Sequence, residues 1–360
     1  TVVDLWSRIP NRAERQSWTD EPISIVYSSS KGVTALCAHM LVSRGLLDVD
    51  ALVSDYWPEY AQKGKESTRV SMLLDHTAGV PALKDPVKPG GCYDWDYMVR
   101  RIEEEAPFWE PGTRSSYHGL TFGWTVGELI RRVSGKRPGQ FIRDEIAEPL
   151  GLDLWLGLPE EHESRVARML LAKLDLKKPP TPFQHALMTD LNSIPALFFL
   201  NTGGFDANSR QAHASEIGSA CCITNARGLA GVYRPLALGG EHKGVRLVDK
   251  ETLARMGRVS AATHHDATLL IPSRFALGFM KSMDHRGIGR ESAILGEAAF
   301  GHVGAGGSIG FADPECEMSF GYTMNQMGDT LLLNERGQAL VDAAYKSIGW
   351  SSNKSGCWQR

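Results

Sequence analysis

Short clusters and alternations of apolar residues predict strands near both ends of the chain. Towards the C-terminus the apolar runs are divided by glycine, proline and aspartate, as is usual where strands are joined by turns. The middle of the chain shows no such runs and carries most of the prolines. The predicted strands lie at about 2–5, 23–26, 274–281, 297–303, 308–313 and 317–324.

Helical spacing of apolar residues alternates with these strands. From Ser30 to about Leu46 the apolar side chains recur on one helical face, and Gly45 near the end of the run is a typical helix stop. A closing helix is predicted for about 329–348. Further predicted helices lie at 67–76, 93–104, 121–134, 139–147 and 227–238.

The segment 179–204 differs from its surroundings, because it is rich in proline and aromatic residues and lacks a clean period. Long irregular segments of this kind are often lids or binding loops. Strands at both ends around a helical middle predict an α/β (α+β) fold with an insertion. We expect a discontinuous sheet domain of residues 1–50 and 225–360 and a mainly helical domain of residues 51–224 that contains the irregular loop.

Composition excludes several classes of partner. The formal net charge of −3 predicts neither nucleic-acid binding nor attraction to an anionic membrane. No apolar run approaches the roughly 20 residues that a membrane-spanning helix needs. The length of 360 residues fits two interleaved subdomains.

Six scattered cysteines form no CxxC pair, and their density is far below that of a disulfide scaffold. Buried free thiols in a reducing compartment are the expectation, so we predict a cytoplasmic protein. Export stays an open alternative, because the chain begins abruptly at Thr1 in a strand-like stretch, as it would if a short leading segment had been removed.

A Ser-x-x-Lys motif lies where the strand at 23–26 passes into the first helix. Residues three apart share a helical face, so Ser28 and Lys31 can touch. A serine hydroxyl needs a neighbouring base to become a nucleophile, and desolvation lowers the pKa of a lysine enough for that task. The alternative is a serine-rich helix cap followed by a surface lysine.

Five ordered sequence blocks give this motif a context. With them the chain resembles the serine β-lactamase and penicillin-binding-protein superfamily, and it is most similar to the ester-cleaving family VIII carboxylesterases. The resemblance covers about 23–348 and implies a β-lactamase/transpeptidase-like fold, an antiparallel sheet flanked by helices with an inserted helical domain. The blocks are YSSSKGVTA at 27–35, VSMLLDHTAGVP at 70–81, FWEPGTRSSYHG at 108–119, NARGLAGVY at 225–233 and FGHVGAGGSIGFADPE at 300–315.

The resemblance implies that Tyr117 is the tyrosine of the family's Y-x-N element. As a tyrosinate, its pKa lowered by Lys31 and a second cation, it would pass the proton of Ser28 to the leaving group. A buried packing tyrosine is the alternative. Gly119 stands where β-lactamases carry asparagine, so the amide that would hold a lactam side chain is missing, and His118 between them is a candidate for a polar substrate contact or a supporting role.

The family's Lys-Thr-Gly element corresponds to residues 302–304, with His302 in place of the lysine. A neutral His302 would donate a hydrogen bond and help to hold the proton of Tyr117. Gly304 would let substrate lie against the strand edge. The family also implies an oxyanion hole from the backbone N–H groups of Ser28 and Ala305.

Other candidate residues receive structural interpretations. Gly-Gly-Ser-Ile-Gly at 306–310 matches the nucleophile elbow of α/β-hydrolases, but no histidine follows Ser308, so we predict a hairpin residue. His76 is predicted to pin its loop. The run His264, His265 and Asp266 is predicted to be a surface loop, because adjacent residues rarely form a metal site.

Together these features predict a serine carboxylesterase for small or medium neutral esters, with acyl transfer to alcohols as a further outcome. A β-lactamase or a D-amino-acid peptidase or amidase is the alternative, and a non-catalytic homologue is a third class. Acyl transfer needs no cofactor and no metal, so neither is expected. The expected partner is a small-molecule ester, with neither nucleic acid nor membrane, and the protein is expected to be a monomer or a small homo-oligomer.

Overall fold

The computed structural model describes residues 22–172, 179–289, 291–329 and 331–360. The strand predicted at 2–5 therefore lies outside the described residues. The α-helices are α1 Ser30–Ser43, α2 Val70–Leu74, α3 Trp95–Glu104, α4 Thr121–Ser134, α5 Pro138–Ile142, α6 Glu148–Leu150, α7 Pro182–Thr189, α8 Ile194–Leu200, α9 Arg210–Ala214, α10 Ala226–Ala237, α11 Lys250–Met256 and α12 Glu335–Ser347.

The strands are mostly short. They are β1 Ser24–Ile25, β2 Leu154–Trp155, β3 Ile223–Thr224, β4 Glu241–His242, β5 Val245–Arg246, β6 Ala261–Thr263, β7 Ser273–Phe275, β8 Phe300–Val303, β9 Ile309–Asp313 and β10 Met318–Tyr322.

The principal sheet is antiparallel throughout. Its strands β10, β9 and β8 are hydrogen-bonded in that order. Met280 forms antiparallel bridges to Gly301 of β8 and to Phe275 of β7, which pairs with β6. These contacts extend the sheet to β6. Helices α10 and α12 flank it, with α10 packed on β9 and β10 and Tyr345 of α12 stacked on Phe311. The predicted mixed fold with an antiparallel sheet and flanking helices is confirmed.

The first strand pairs elsewhere. β1 pairs with β3, which also pairs with β2, in a small separate sheet. Helix α1 follows β1 through a 3₁₀ turn, Tyr27–Ser29, and contacts α4, α5, α11 and β8. Every residue of α1 from Ser30 to Leu41 is buried, as expected for a helix covered on all sides. The division into two domains stays a prediction.

The segment 179–204 is helical where an irregular loop was predicted. It contains α7 and α8, and each helix begins at a capping side chain: Thr181 accepts a hydrogen bond from the backbone of Gln184, and Ser193 accepts one from that of Ala196. Prolines lie in the first turn of both helices, where the missing N–H costs nothing. The prediction was wrong because these prolines start helices instead of breaking them.

Element ends differ from the predictions for local reasons. Helix α2 is shorter than 67–76 because His76 has a left-handed backbone, with φ of 68°. The predicted strand 274–281 is interrupted near Gly278, whose φ is 87°. Helix α12 begins six residues later than predicted, since the Asn334 side chain caps its first turn. Among the described residues, no helix has the length and apolar character needed to cross a bilayer.

Candidate active site

The motif serine lies in a tight turn between β1 and α1. Tyr27, immediately before it, has a φ of 46°, which is uncommon for a residue other than glycine and typical of strained functional turns. Ser28 is half-buried and therefore reachable from solvent. Ser29 is fully buried, and its hydroxyl donates to the carbonyl oxygen of His302 at 3.2 Å. This bond ties the turn to strand β8.

The loop between β8 and β9 holds the same turn from the other side. The Ser308 hydroxyl donates to the carbonyl of Val26 at 2.9 Å, and its oxygen lies 3.1 Å from the Ser29 hydroxyl oxygen. A Cβ on Gly304 would lie 2.1 Å from the Val26 oxygen, so only glycine permits this approach. The prediction that Ser308 is a hairpin residue is confirmed. Gly304 makes room for the turn that carries Ser28, and its contact with substrate stays a prediction.

Lys31 is completely buried beside Ser28. Its Nζ atom lies 3.1 Å from Ser28 Oγ, 2.6 Å from the carbonyl oxygen of Gly119 and 3.0 Å from that of Ser219. An ammonium group donates to all three oxygens. A neutral amine donates to the two carbonyls and turns its lone pair to the Ser28 hydroxyl. The site therefore accepts both protonation states of the lysine without losing a hydrogen bond.

The burial of Lys31 influences which protonation state of its amine is favoured before substrate reacts. Desolvation lowers the pKa of Lys31 well below its ordinary value of 10.5. The rings of Tyr117 and Phe122 lie 4.7 and 5.9 Å from Nζ and offer only weak compensation for a charge. The shift favours the neutral amine more than in an exposed lysine, and the catalytic role of Lys31 stays a prediction.

Tyr117 lies against the same two residues. Its side chain is buried, and a hydrogen bond with Ser28 lowers the phenol pKa somewhat. Burial has the larger, opposite effect, and the charge of Asp266 adds to it, so the pKa is raised above its usual value. The predicted lowering of the Tyr117 pKa is therefore wrong, and no cation among the described residues is a cause of its shift.

The ring of His302, the residue expected to help Tyr117, is neutral as predicted. Burial first, and then the charge of Lys31, lowers its pKa to about 3. Nδ1 lies 2.7 Å from the carbonyl oxygen of Val303, which can only accept, so Nδ1 carries the proton. Nε2 is then an acceptor, and it is buried without a partner among the described residues. His302 can accept a hydrogen bond but not donate one at Nε2, which corrects the prediction.

His118 is fully engaged with the backbone. Its Nδ1 donates to the Ser116 carbonyl at 2.7 Å, and its Nε2 accepts from the Val80 N–H at 3.0 Å. Burial lowers its pKa to about 4. No ring nitrogen is left for a substrate, so the candidate substrate contact is wrong and the supporting role is correct. His76 accepts a hydrogen bond from the His118 N–H at 3.2 Å, which fits its predicted structural role.

Gly119 contributes through its backbone. Its carbonyl oxygen receives a hydrogen bond from Lys31, as described above. A Cβ at this position would lie 1.8 Å from the ring of Phe198 on α8. The sequence showed that an asparagine was missing, but not that an aromatic ring from a distant helix excludes any side chain there. The only sequence feature that pointed to this contact was the aromatic content of the segment 179–204.

Asp266 was missed by sequence reasoning. Predicted to lie in a surface loop, it has no exposed surface. Its carboxylate accepts hydrogen bonds from the backbone N–H of Tyr117 at 3.0 and 3.1 Å, and also from the Thr268 and Leu269 N–H groups and the Ser273 hydroxyl. The surface-loop prediction failed because these donors satisfy a buried carboxylate. Asp266 thereby fixes the backbone that carries the phenol.

The oxyanion hole stays a prediction. In the described part of the chain, the backbone N–H groups of Ser28 and Ala305 donate to no carbonyl oxygen, so both are available to a developing oxyanion. Within the same residues, no group of three or more His, Cys, Asp or Glu side chains is placed to hold a metal ion. The described cysteines are free thiols, four of them buried.

The chain is similar to known proteins over most of its length. The family model described as Beta-lactamase matches residues 1–345. The esterase/beta-lactamase LipL of Mycobacterium tuberculosis (strain ATCC 25618 / H37Rv) is 33% identical over 93% of this chain and 76% of its own length. Two solved structures are also similar. A penicillin-binding protein homolog from Caulobacter crescentus has a TM-score of 0.83 and 31% identity, with 94% of this chain and 87% of the other covered.

The second structure is a family VIII carboxylesterase, with a TM-score of 0.80 and 33% identity over 94% of this chain and 86% of the other. The match over nearly the whole chain shows that this chain belongs to the beta-lactamase family. The resemblance inferred from the five sequence blocks is thereby confirmed.

Proposed function

We propose that this member of the beta-lactamase family, a serine hydrolase, is a carboxylesterase that cleaves small or medium neutral esters through an acyl-enzyme on Ser28. The observation that carries the proposal is the position of Lys31, whose buried amine reaches the Ser28 hydroxyl and two backbone carbonyls. A similar esterase/beta-lactamase and a similar family VIII carboxylesterase support ester cleavage.

In the first step Ser28 Oγ attacks the ester carbonyl while its proton moves to Lys31 Nζ. The resulting ammonium is stabilised by the carbonyl oxygens of Gly119 and Ser219, which are already in place. We assign the N–H groups of Ser28 and Ala305 to the tetrahedral oxyanion. Hydrogen-bond donors that are positioned before the reaction need no reorganisation when the charge develops.

In the second step the tetrahedral intermediate expels the alcohol. The phenol of Tyr117 gives its proton to the departing alkoxide and takes one from the Lys31 ammonium, so both groups end neutral. A phenol with a raised pKa suits this role, because it stays protonated until the alkoxide accepts the proton. Water then attacks the acyl-enzyme by the reverse route and releases the acid. An alcohol in place of water gives a transferred ester.

Two features favour a neutral ester over a β-lactam. Phe198 excludes a side chain at Gly119, and the ring of His302 is uncharged, so neither an acyl amide nor a carboxylate finds a partner at these positions. The test compares p-nitrophenyl butyrate with a chromogenic cephalosporin, using Ser28→Ala as the control. We expect ester turnover that disappears in the variant. Efficient cephalosporin turnover without ester turnover would overturn the proposal.

A further inference from the structure

We propose that Phe198 is a specificity-determining residue that limits the size of the acyl group, so that short, uncharged acyl chains are accepted and bulky ones are excluded. This inference rests on the proposed function, since it concerns the same site. It names the substrate class on the acyl side.

The ring of Phe198 occupies the space that a side chain at position 119 would need. A Cβ on Gly119 would approach three atoms of the ring, at 1.8, 2.3 and 2.5 Å. The ring also meets Tyr117 edge-on, with the centroids 6.2 Å apart. Phe198 therefore stands directly beside the residues that surround the reacting serine, although it comes from a helix far along the chain.

Helix α8 is held firmly enough for the ring to act as a wall. At its C-terminal end the Asn201 amide nitrogen donates to the carbonyls of Leu83 and Asp85 at 3.0 and 2.9 Å, and its oxygen accepts from the Val87 N–H at 2.8 Å. Three hydrogen bonds from one side chain fix the last turn of the helix. Phe198, three residues earlier, is thus placed by a defined anchor.

Behind the ring lies a small cavity without a charged lining residue. Phe198 lines this cavity, and the same ring contacts Tyr117. Removing the ring would join this cavity to the catalytic site and extend the space for an acyl chain. An acyl chain with a charged group would find no partner there, because burying an unpaired charge is costly.

The first test measures kcat/KM for p-nitrophenyl acetate, butyrate and octanoate in wild type, Phe198→Ala and Leu200→Ala. Leu200 is the matched control, since it is a large apolar residue of the same helix with 53% of its surface exposed. We expect the octanoate-to-acetate ratio to rise by about tenfold or more in Phe198→Ala, as a pocket change of one or two methylenes commonly produces. In Leu200→Ala the ratio should stay at the wild-type value.

A second test uses the clash itself. In Gly119→Ala the new methyl group would overlap the ring of Phe198 and displace the Gly119 carbonyl that Lys31 contacts. Turnover of p-nitrophenyl acetate should therefore fall. Adding Phe198→Ala removes the obstacle and should restore about tenfold or more of the lost rate, since residues in contact are strongly coupled. Active-site titration with a fluorophosphonate counts the folded, competent enzyme in every variant.

The outcomes separate the two proposals. If the phosphonate fails to label Ser28 in wild type, the proposed esterase mechanism fails. If labelling is normal but Phe198→Ala and Leu200→Ala share the same acyl preference, only the role of Phe198 is overturned. Full activity of Gly119→Ala alone would contradict it as well.

Discussion

Replacing Lys31 by methionine tests whether the buried amine is the base. Methionine fills most of the same space but cannot accept a proton. The loss of a positioned general base typically costs about 10²- to 10⁴-fold in rate, or roughly 3–5 kcal/mol of activation free energy. We therefore expect acylation of Ser28 by p-nitrophenyl acetate to slow by that factor.

Stability should change much less than activity. The carbonyls of Gly119 and Ser219 would each lose a hydrogen bond, at about 1 kcal/mol apiece. Against this, the amine no longer has to be desolvated, and that desolvation is what lowers its pKa in the folded protein. The free energy of unfolding is expected to stay within about 2 kcal/mol of wild type.

The chain offers a matched control in Lys65. This lysine is only 1% exposed, its amine donates to the backbone carbonyls of Glu103 and Glu105, and burial lowers its pKa to about 8. Lys65→Met should alter stability by a similar amount and leave the rate of acylation intact. The assays are stopped-flow release of p-nitrophenol and urea unfolding.

Two results would refute the reasoning about Lys31. One is a Lys31→Met enzyme that acylates within tenfold of wild type. The other is an equal loss of rate in both lysine variants, which would show that the effect comes from disturbed packing and not from a missing base.

Three further predictions concern residues around the site. The pKa of His118 is lowered from 6.5 to about 4, so between these pH values the unfolded chain binds a proton at this ring and the folded chain does not. The free energy of unfolding should therefore fall by roughly a few kcal/mol as the pH drops from 6.5 to 4. In urea titrations His118→Gln should show a weaker dependence of stability on pH over this range. Asp266→Asn removes a charge that raises the pKa of Tyr117. In this variant the alkaline transition in the plot of kcat against pH should move to lower pH. An unchanged plot together with a lower stability would mean that Asp266 has a purely structural role. In Gly304→Ala the phosphonate should label Ser28 far more slowly than in wild type, because the new methyl group would clash with the Val26 carbonyl. Labelling at the wild-type rate would argue against the tight turn.

Elements whose signals are local could be predicted from the sequence. Helix α4 was placed correctly because its apolar face and its Gly135 stop lie within the segment itself. The contact between Ser28 and Lys31 was equally local, since the two residues share one helical turn. The segment 179–204 was misjudged because the same prolines that interrupt a helix also begin one, and only the caps at Thr181 and Ser193 decide between these outcomes.

The parts of the site that depend on long-range packing could not be predicted. Asp266 reaches the Tyr117 backbone across about 150 residues of chain, and no local pattern marks a carboxylate that will be buried. The protonation of Tyr117 and His302 was equally hidden, because it depends on burial and on the hydrogen-bond partners that the fold supplies. The fit of Phe198 against Gly119 likewise requires the position of α8.

The most direct test of the central claim is intact-protein mass spectrometry after brief incubation with p-nitrophenyl butyrate or a fluorophosphonate. The account predicts that one equivalent of the reagent's acyl or phosphonyl group is added to wild type, that peptide mapping places it on Ser28, and that Ser28→Ala gains no mass. Labelling that persists in Ser28→Ala, or that maps to another residue such as Ser308, would contradict the account.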